Sequence, residues 1–164
     1  MIMIAFLYPT PEGFDDLWLY TDGEVLTGLL FVGSHNETNV VETCHGASLP
    51  TIIRDTCRWL DIYFSGRQPD FTPAYRMEGL TPFRKAVLDV VCDIPFGQTM
   101  TYGDVAKRLN VHSAQAVGGA VGWNPISLIV PCHRVMGANG NLTGYGGGLP
   151  NKIALLKLEG SLMC

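Results

Sequence analysis

The chain lacks any apolar run long enough to cross a bilayer. Stretches such as Ile2–Tyr8 and Leu26–Val32 fall far short of the roughly 20 residues that a spanning helix needs. A basic leader ahead of a hydrophobic segment is also lacking, so a cytoplasmic location is expected and a membrane partner is not. No Cys-x-x-Cys pair occurs. The five cysteines (Cys44, Cys57, Cys92, Cys132 and Cys164) are odd in number and irregular in spacing, which fits free thiols in a reducing compartment and not a disulfide framework. Charged residues are scarce at 16 % while hydrophobic ones reach 47 %, so the chain is not disordered, and 164 residues can bury one core or two small ones. Lysine is absent from residues 1–78, where four Arg meet eleven acids for a net −7. Residues 79–164 set seven Lys plus Arg against four acids for +3. The overall charge of −4 therefore hides a positive second half, and a phosphate-binding surface belongs there if one exists.

Turn and cap signals divide what is present. Ile2–Tyr8, Leu17–Thr21 and Val25–Val32 read as strands, with Asp22-Gly23 as a hairpin turn, giving an antiparallel sheet. Ile52, Ile53, Cys57, Leu60 and Phe64 recur at helical spacing between Leu49-Pro50 and Gly66. Residues 68–73, with two prolines, read as a linker between the acidic and basic halves. Beyond it, Thr81-Pro82 caps a helix whose stripe is Phe83, Val87, Leu88, Val91 and Cys92. Thr101 with Asp104 forms a capping box for a short helix to Leu109, and Ser113 caps another to about Gly122, the helix-turn-helix pattern. Cys57 and Cys92 lie on apolar helical faces and are expected in the core.

The chemistry concentrates in residues 124–135, Asn-Pro-Ile-Ser-Leu-Ile-Val-Pro-Cys-His-Arg-Val. A β-branched run leads to Pro131, which fixes the backbone just before a thiol. A thiol becomes a nucleophile as its thiolate, so it needs a base or positive charge nearby. His133, one residue on, cannot easily reach the Cys132 sulfur itself. It can act through a water if a carboxylate orients its other nitrogen, and Glu159 is the best candidate. The competing readings of the residues are Cys132 as a small buried hydrophobe, Tyr102 as a half-buried aromatic, Asn124 as a helix end before Pro125 and Glu159 as an exposed acid. Two Cys-His pairs (Cys44-His45 and Cys132-His133) could supply four zinc ligands, but adjacent ligands suit one tetrahedral ion poorly, so no metal is expected. Residues 144–148 are glycine-rich but lack the lysine and serine of a nucleotide-binding loop.

These residues, with Ile94-Pro95-Phe96-Gly97, Thr101-Tyr102, Ala116-Val117-Gly118-Gly119-Ala120, Thr143-Gly144-Tyr145-Gly146-Gly147-Gly148 and Lys152…Glu159-Gly160 in that order, resemble the methylated-DNA–protein-cysteine methyltransferases (O6-alkylguanine-DNA alkyltransferases) over roughly residues 79–160. The resemblance implies an α+β chain. Residues 1–73 would form an N-terminal sheet-plus-helix domain, ribonuclease H-like, and residues 79–164 a mainly helical, winged-helix-like domain carrying the helix-turn-helix. It implies DNA repair by direct reversal: an alkyl group passes once, irreversibly, from O6-alkylguanine to Cys132, with O4-alkylthymine as a second candidate donor.

It also implies roles. His133 takes the Cys132 proton through a water, with Glu159 behind it, and Asn124 ties the helix-turn-helix to the active-site loop. Tyr102 donates to the lesion oxygen and presses on the neighbouring phosphate. The Val135 carbonyl accepts from the guanine amino group, the Gly146 amide donates to O6, and the flipped base lies beside Tyr145. Ser113, Ala114, Ala116, Gly118 and Gly119 present a smooth helix face to the minor groove, and Arg134 is counted among the DNA or substrate contacts. The partner is duplex DNA, the protein a monomer, and no cofactor is needed because the lesion is the donor.

Two departures stand out. Gln115 occupies the position where family members carry an arginine that fills the gap left by the flipped base, which predicts weaker DNA affinity. The turn between the two helices is one residue shorter than in some relatives. Two rival readings are a lesion-binding relative that does not transfer and a helix-turn-helix regulator. The first is disfavoured by the joint presence of Cys132, His133 and Glu159, the second by the lack of a further DNA-binding module. No constellation marks the N-terminal half, for which a scaffold is the default.

Overall fold

A computed structural model describes residues 3–34, 42–43 and 49–162. Strands β1 (Ile4–Tyr8), β2 (Leu17–Thr21), β3 (Leu26–Phe31) and β4 (Glu42–Thr43) form one sheet in the order β3-β2-β1-β4. The first three pair antiparallel as their turn signals predict. β4, which the sequence did not reveal, adds to β1 in parallel. Helix α1 (Thr51–Phe64) covers the sheet, burying Ile52, Ile53, Thr56, Trp59, Leu60 and Tyr63 at a spacing that keeps them on one face.

The second half supplies α2 (Pro82–Cys92), β5 (Met100–Thr101), α3 (Tyr102–Arg108), α4 (Ala114–Val121), β6 (Val135–Met136) and α5 (Leu149–Leu158), so the chain is α+β, with five α-helices among the described residues. Local chemistry starts three of them. Thr81 Oγ1 accepts from Arg84 N, with Pro82 at the first helical position. Thr101 and Asp104 cap each other's backbone at 3.0 Å, and Ser113 Oγ accepts from Ala116 N. Helices α2, α3 and α4 pack together, and the α3–α4 turn passes through Asn110 in the left-handed region. Of the two cysteines expected in the core, Cys92 lies at the surface and Cys57 is half-buried, and Phe83 of the expected stripe is exposed. The α2 stripe is only Val87, Leu88 and Val91 wide.

The halves share one interior. Leu17, Leu19, Leu29 and Phe31 of the sheet join Leu60 of α1, Leu88 of α2, Val117 of α4 and Leu155 of α5 in a single buried cluster. Backbone pairing joins them too. At one end of the β3 edge, Leu26 exchanges hydrogen bonds with Ala74 and Arg76, just past the presumed linker. At the other, Leu29 N donates to Pro125 O (2.9 Å) and Ser127 N donates to Leu29 O (2.8 Å). An edge strand that would otherwise be open is thus covered by the chain leaving the linker and by the loop approaching Cys132. No helix among the described residues is long and apolar enough to cross a membrane.

Leu29→Ala is expected to cost about 2–5 kcal/mol. In thermal melts followed by circular dichroism it should lower a single transition. Two separated transitions would show that the halves unfold independently.

Candidate active site

The loop before Cys132 is shaped by one side chain. Asn124 Nδ2 donates to Val130 O (2.8 Å) and its Oδ1 accepts from Ile126 N (3.0 Å), closing the intervening chain into a compact turn. Within it Leu128 is held at φ 71°, a left-handed conformation that a branched residue adopts only when its surroundings impose it. Pro131, at φ −82° and ψ 63°, sits at the centre of an inverse γ-turn in which Cys132 N donates to Val130 O at 2.8 Å. Proline fixes φ near the value this turn needs, which explains its place before the thiol. Cys132–Arg134 then form one 3-10 turn.

Cys132 is 5 % exposed. Burial pushes its thiol pKa up, opposed by Asn124 and Tyr145 beside it and by the nearby Lys152 charge. His133 is wholly buried. Its Nε2 meets Glu159 Oε2 at 2.5 Å, while its Nδ1 is buried with no hydrogen-bond partner. Burial lowers the imidazole pKa, outweighing Glu159, which favours the charged ring. Burial alone would raise Glu159. Hydrogen bonds from His133 and Arg134, with the Arg134 charge, overcome this and hold it well below the usual carboxylate range. An ionised carboxylate only accepts, so the nitrogen facing it carries the hydrogen, and neutral His133 keeps its lone pair on Nδ1.

Glu159 gathers further donors. Arg134 Nε reaches Oε1 (2.8 Å) and Nη2 reaches Oε2 (3.2 Å), while Nη1 donates to Ile94 O (2.7 Å). Arg134, expected among the DNA contacts, is therefore turned inward, because the buried carboxylate needs its charge. Gly97 N donates to Glu159 Oε1 (3.2 Å). Gly97 has φ 80° and a Cβ there would lie 3.2 Å from Glu159 O, which accounts for glycine at the end of the Ile94–Gly97 turn. Two residues without an expected role also belong here. Tyr63 of α1 donates to Glu159 Oε2 (2.5 Å), and fully buried Lys152 donates to Val135 O (2.7 Å). Tyr63 reads locally as one more apolar helix position, and nothing local separates Lys152 from Lys157, the second lysine of α5. The Val135 carbonyl keeps one lone pair for another donor.

A pocket opens at Cys132, walled by Tyr102, Gly118, Asn124, Tyr145 and Gly146, with Leu30 and Ser34 from the N-terminal half. The Tyr102 hydroxyl accepts from Thr143 Oγ1 (3.3 Å). The Tyr145 hydroxyl is buried beside the Cys132 sulfur without a regular hydrogen bond, and burial raises it well above the ordinary phenol range. Its ring folds across Gly147, where a Cβ would meet Phe31 at 2.7 Å and Tyr145 at 2.9 Å, so that position admits no side chain. Asn151 Nδ2 donates to Gly147 O (2.6 Å) and to the Asp15 carboxylate (2.9 Å), holding the glycine-rich loop from the N-terminal half. Outside the pocket, Ser113, Ala114, Gln115 and Ala116 form the exposed start of α4 and Gly118 is half-buried at the pocket wall. Cys44 and His45, weighed as zinc ligands, lie outside the described residues.

Comparison with known proteins places this geometry in context. The family described as "6-O-methylguanine DNA methyltransferase, DNA binding domain" matches residues 82–161. An inducible methylated-DNA–protein-cysteine methyltransferase of Bacillus subtilis is 39 % identical over 153 residues, spanning 87 % of this chain and 84 % of the relative. That of Mycobacterium tuberculosis H37Rv is 40 % identical over 146 residues, spanning 88 % and 86 %. The crystal structure of the M. tuberculosis O6-methylguanine methyltransferase superposes with a TM-score of 0.83 at 37 % identity, covering 98 % of this chain and 94 % of the other. A structure of M. tuberculosis OGT in complex with DNA superposes at 0.81 and 38 % identity, covering 96 % and 93 %.

Glu159→Gln should leave Arg134 as an unpaired buried charge at a cost of about 3–5 kcal/mol, lowering Tm by roughly 6–20 °C. A melt unchanged from the native protein would refute the central place given to this carboxylate.

Proposed function

The chain belongs to the methylated-DNA–protein-cysteine methyltransferase family, and from that membership we propose how its residues divide the work of a DNA-repair alkyl transfer. Members of this class move an alkyl group from DNA onto their own cysteine, once per molecule. Here the acceptor is Cys132 and the donor is O6-alkylguanine in duplex DNA. The observation that carries the assignment is His133: a buried, neutral imidazole, locked at Nε2 by Glu159, with an unsatisfied Nδ1 one residue from a buried thiol. A water between Nδ1 and Sγ passes the thiol proton to the ring, and the resulting imidazolium is stabilised by Glu159. The sulfur attacks the alkyl carbon, the S–C bond forms as the C–O bond breaks, and the bonding pair stays on O6. Tyr102 and the Gly146 amide donate to that oxygen as charge develops on it. The Val135 carbonyl accepts from the guanine amino group, and Tyr145 lines the cleft. No cofactor enters, because the lesion supplies the alkyl group.

A guanine stacked in a duplex cannot bring O6 to a buried sulfur, so the nucleotide rotates out. The exposed small residues at the start of α4 let this helix approach the minor groove closely, and Gln115 takes the place of the departed base. Recognition then rests on duplex shape and phosphate contacts, with little sequence preference. The β5–β6 pair beside α2–α4 supports a winged-helix-like reading of the second half, and α1 on the sheet a ribonuclease H-like reading of the first. The protein acts as a monomer.

Incubation with a duplex carrying one O6-methylguanine should add the mass of one methyl group, mapped to the Cys132 peptide and lost in Cys132→Ala. Tight binding without a mass gain would make this a lesion-recognition protein instead. Gln115→Arg is expected to tighten duplex binding and to steepen the salt dependence of log K by about 0.9, one added phosphate-neutralising charge. Salt titrations of binding check this, and an unchanged slope would place residue 115 away from the DNA.

A further inference from the structure

Tyr63 lies on α1, in the half of the chain that carries none of the residues assigned above, yet its hydroxyl enters the centre of the site. It donates to Glu159 Oε2 at 2.5 Å and lies 3.4 Å from His133 Nε2. The two carboxylate oxygens are differently occupied. Oε1 takes Arg134 Nε and Gly97 N, while Oε2 takes His133 Nε2, Tyr63 and the longer Arg134 contact. Tyr63 thus fills the position on Oε2 that the imidazole N–H would otherwise be free to wander into. The ring itself is held firmly. Trp59 stacks on it at 5.3 Å between centroids, and Phe64 and Phe96 meet it edge-on. Burial and the neighbouring carboxylate keep its phenol protonated far above neutral pH, so it remains a donor whenever Glu159 is charged. An ordinary buried tyrosine is satisfied by any carbonyl oxygen. This one bonds the single acidic group that orients His133.

We propose that Tyr63 is a positioning residue for alkyl transfer: its hydroxyl fixes Glu159 Oε2, so that the imidazole is aimed with Nδ1 toward the Cys132 side, and the N-terminal half completes the proton relay. This rests on the reading of His133 as the base for Cys132. Tyr63 acts through Glu159 and His133, the two groups that its hydroxyl meets. The charged and titratable groups around His133 are Glu159 and Lys152 from the α5 segment, Arg134 and Cys132 from its own turn, and Tyr63 from α1. Glu159 favours the protonated ring, and Arg134 and Lys152 oppose it. Without the hydroxyl, the carboxylate charge bears more fully on the imidazole, which then takes up a proton at higher pH.

The test compares native protein with Tyr63→Phe, which keeps the ring and its stacking. Single-turnover methyl transfer is measured at saturating O6-methylguanine duplex across pH, with duplex affinity measured in a Cys132→Ser background and Tm recorded for each. The proposal expects a rate about tenfold lower, the worth of one hydrogen bond to a charged group. It further expects an acid limb moved to higher pH and an unchanged Kd. A rate and pH profile equal to the native protein's would overturn it. So would a rate that falls only in step with Tm or Kd while the acid limb stays in place, which marks a structural role alone. If Tyr63→Leu fails to fold, Tyr63→Phe still decides. Native protein that transfers with no acid limb would instead overturn the His133 reading on which the proposal stands.

Discussion

Among the described residues one buried negative charge organises the packing. Glu159 is ionised in a region from which water is nearly excluded, and such a charge is tolerable only when donors surround it. The donors come from far apart in sequence: Tyr63 from α1, Gly97 from the turn after α2, and His133 and Arg134 from the 3-10 turn. Each is brought there by its own local device. Helical spacing faces Tyr63 inward, a left-handed glycine lets an amide approach, and Pro131 starts the turn that carries His133 and Arg134. The proton-accepting face of His133 is then a by-product of charge neutralisation, because the nitrogen used for Glu159 is no longer available to anything else.

Much of this was legible locally. The cap residues Thr81, Thr101 and Ser113 marked their helices because side-chain-to-backbone hydrogen bonds act over three residues, and the Asp22-Gly23 turn marked its hairpin. The pairing of His133 with Glu159 was an expectation of the sequence, and the two meet at 2.5 Å. Tertiary placement was not legible. The residues at 68–73 suggested a spacer, but the chain just beyond it pairs with β3, and the active-site loop pairs with the same edge. Arg134 was expected among the DNA or substrate contacts through the family resemblance. Only the position of Glu159 shows that its charge is already committed. Tyr63 gave no signal, since the apolar face of a helix does not say which of its aromatic residues carries its polar tip into a site.

The acidic first half, at −7, and the positive second half, at +3, now have a physical arrangement. The basic half holds few charges in total, and Arg134 and Lys152 are spent internally. Of the seven Lys and Arg in that half, the other five lie outside these internal contacts. From the acidic half, the Asp15 carboxylate accepts from Asn151 Nδ2, which also donates to the Gly147 carbonyl and so ties the glycine-rich loop to it.

The burial of Cys132 has a consequence in time. A protein whose nucleophile is consumed in one event needs that nucleophile intact at the moment of damage, however long the wait. Free thiolates are lost steadily to peroxides and to soluble electrophiles, at rates set by thiolate fraction and access. A sulfur that is 5 % exposed and held protonated by desolvation offers neither. The packing around this sulfur therefore gives the unused molecule its shelf life.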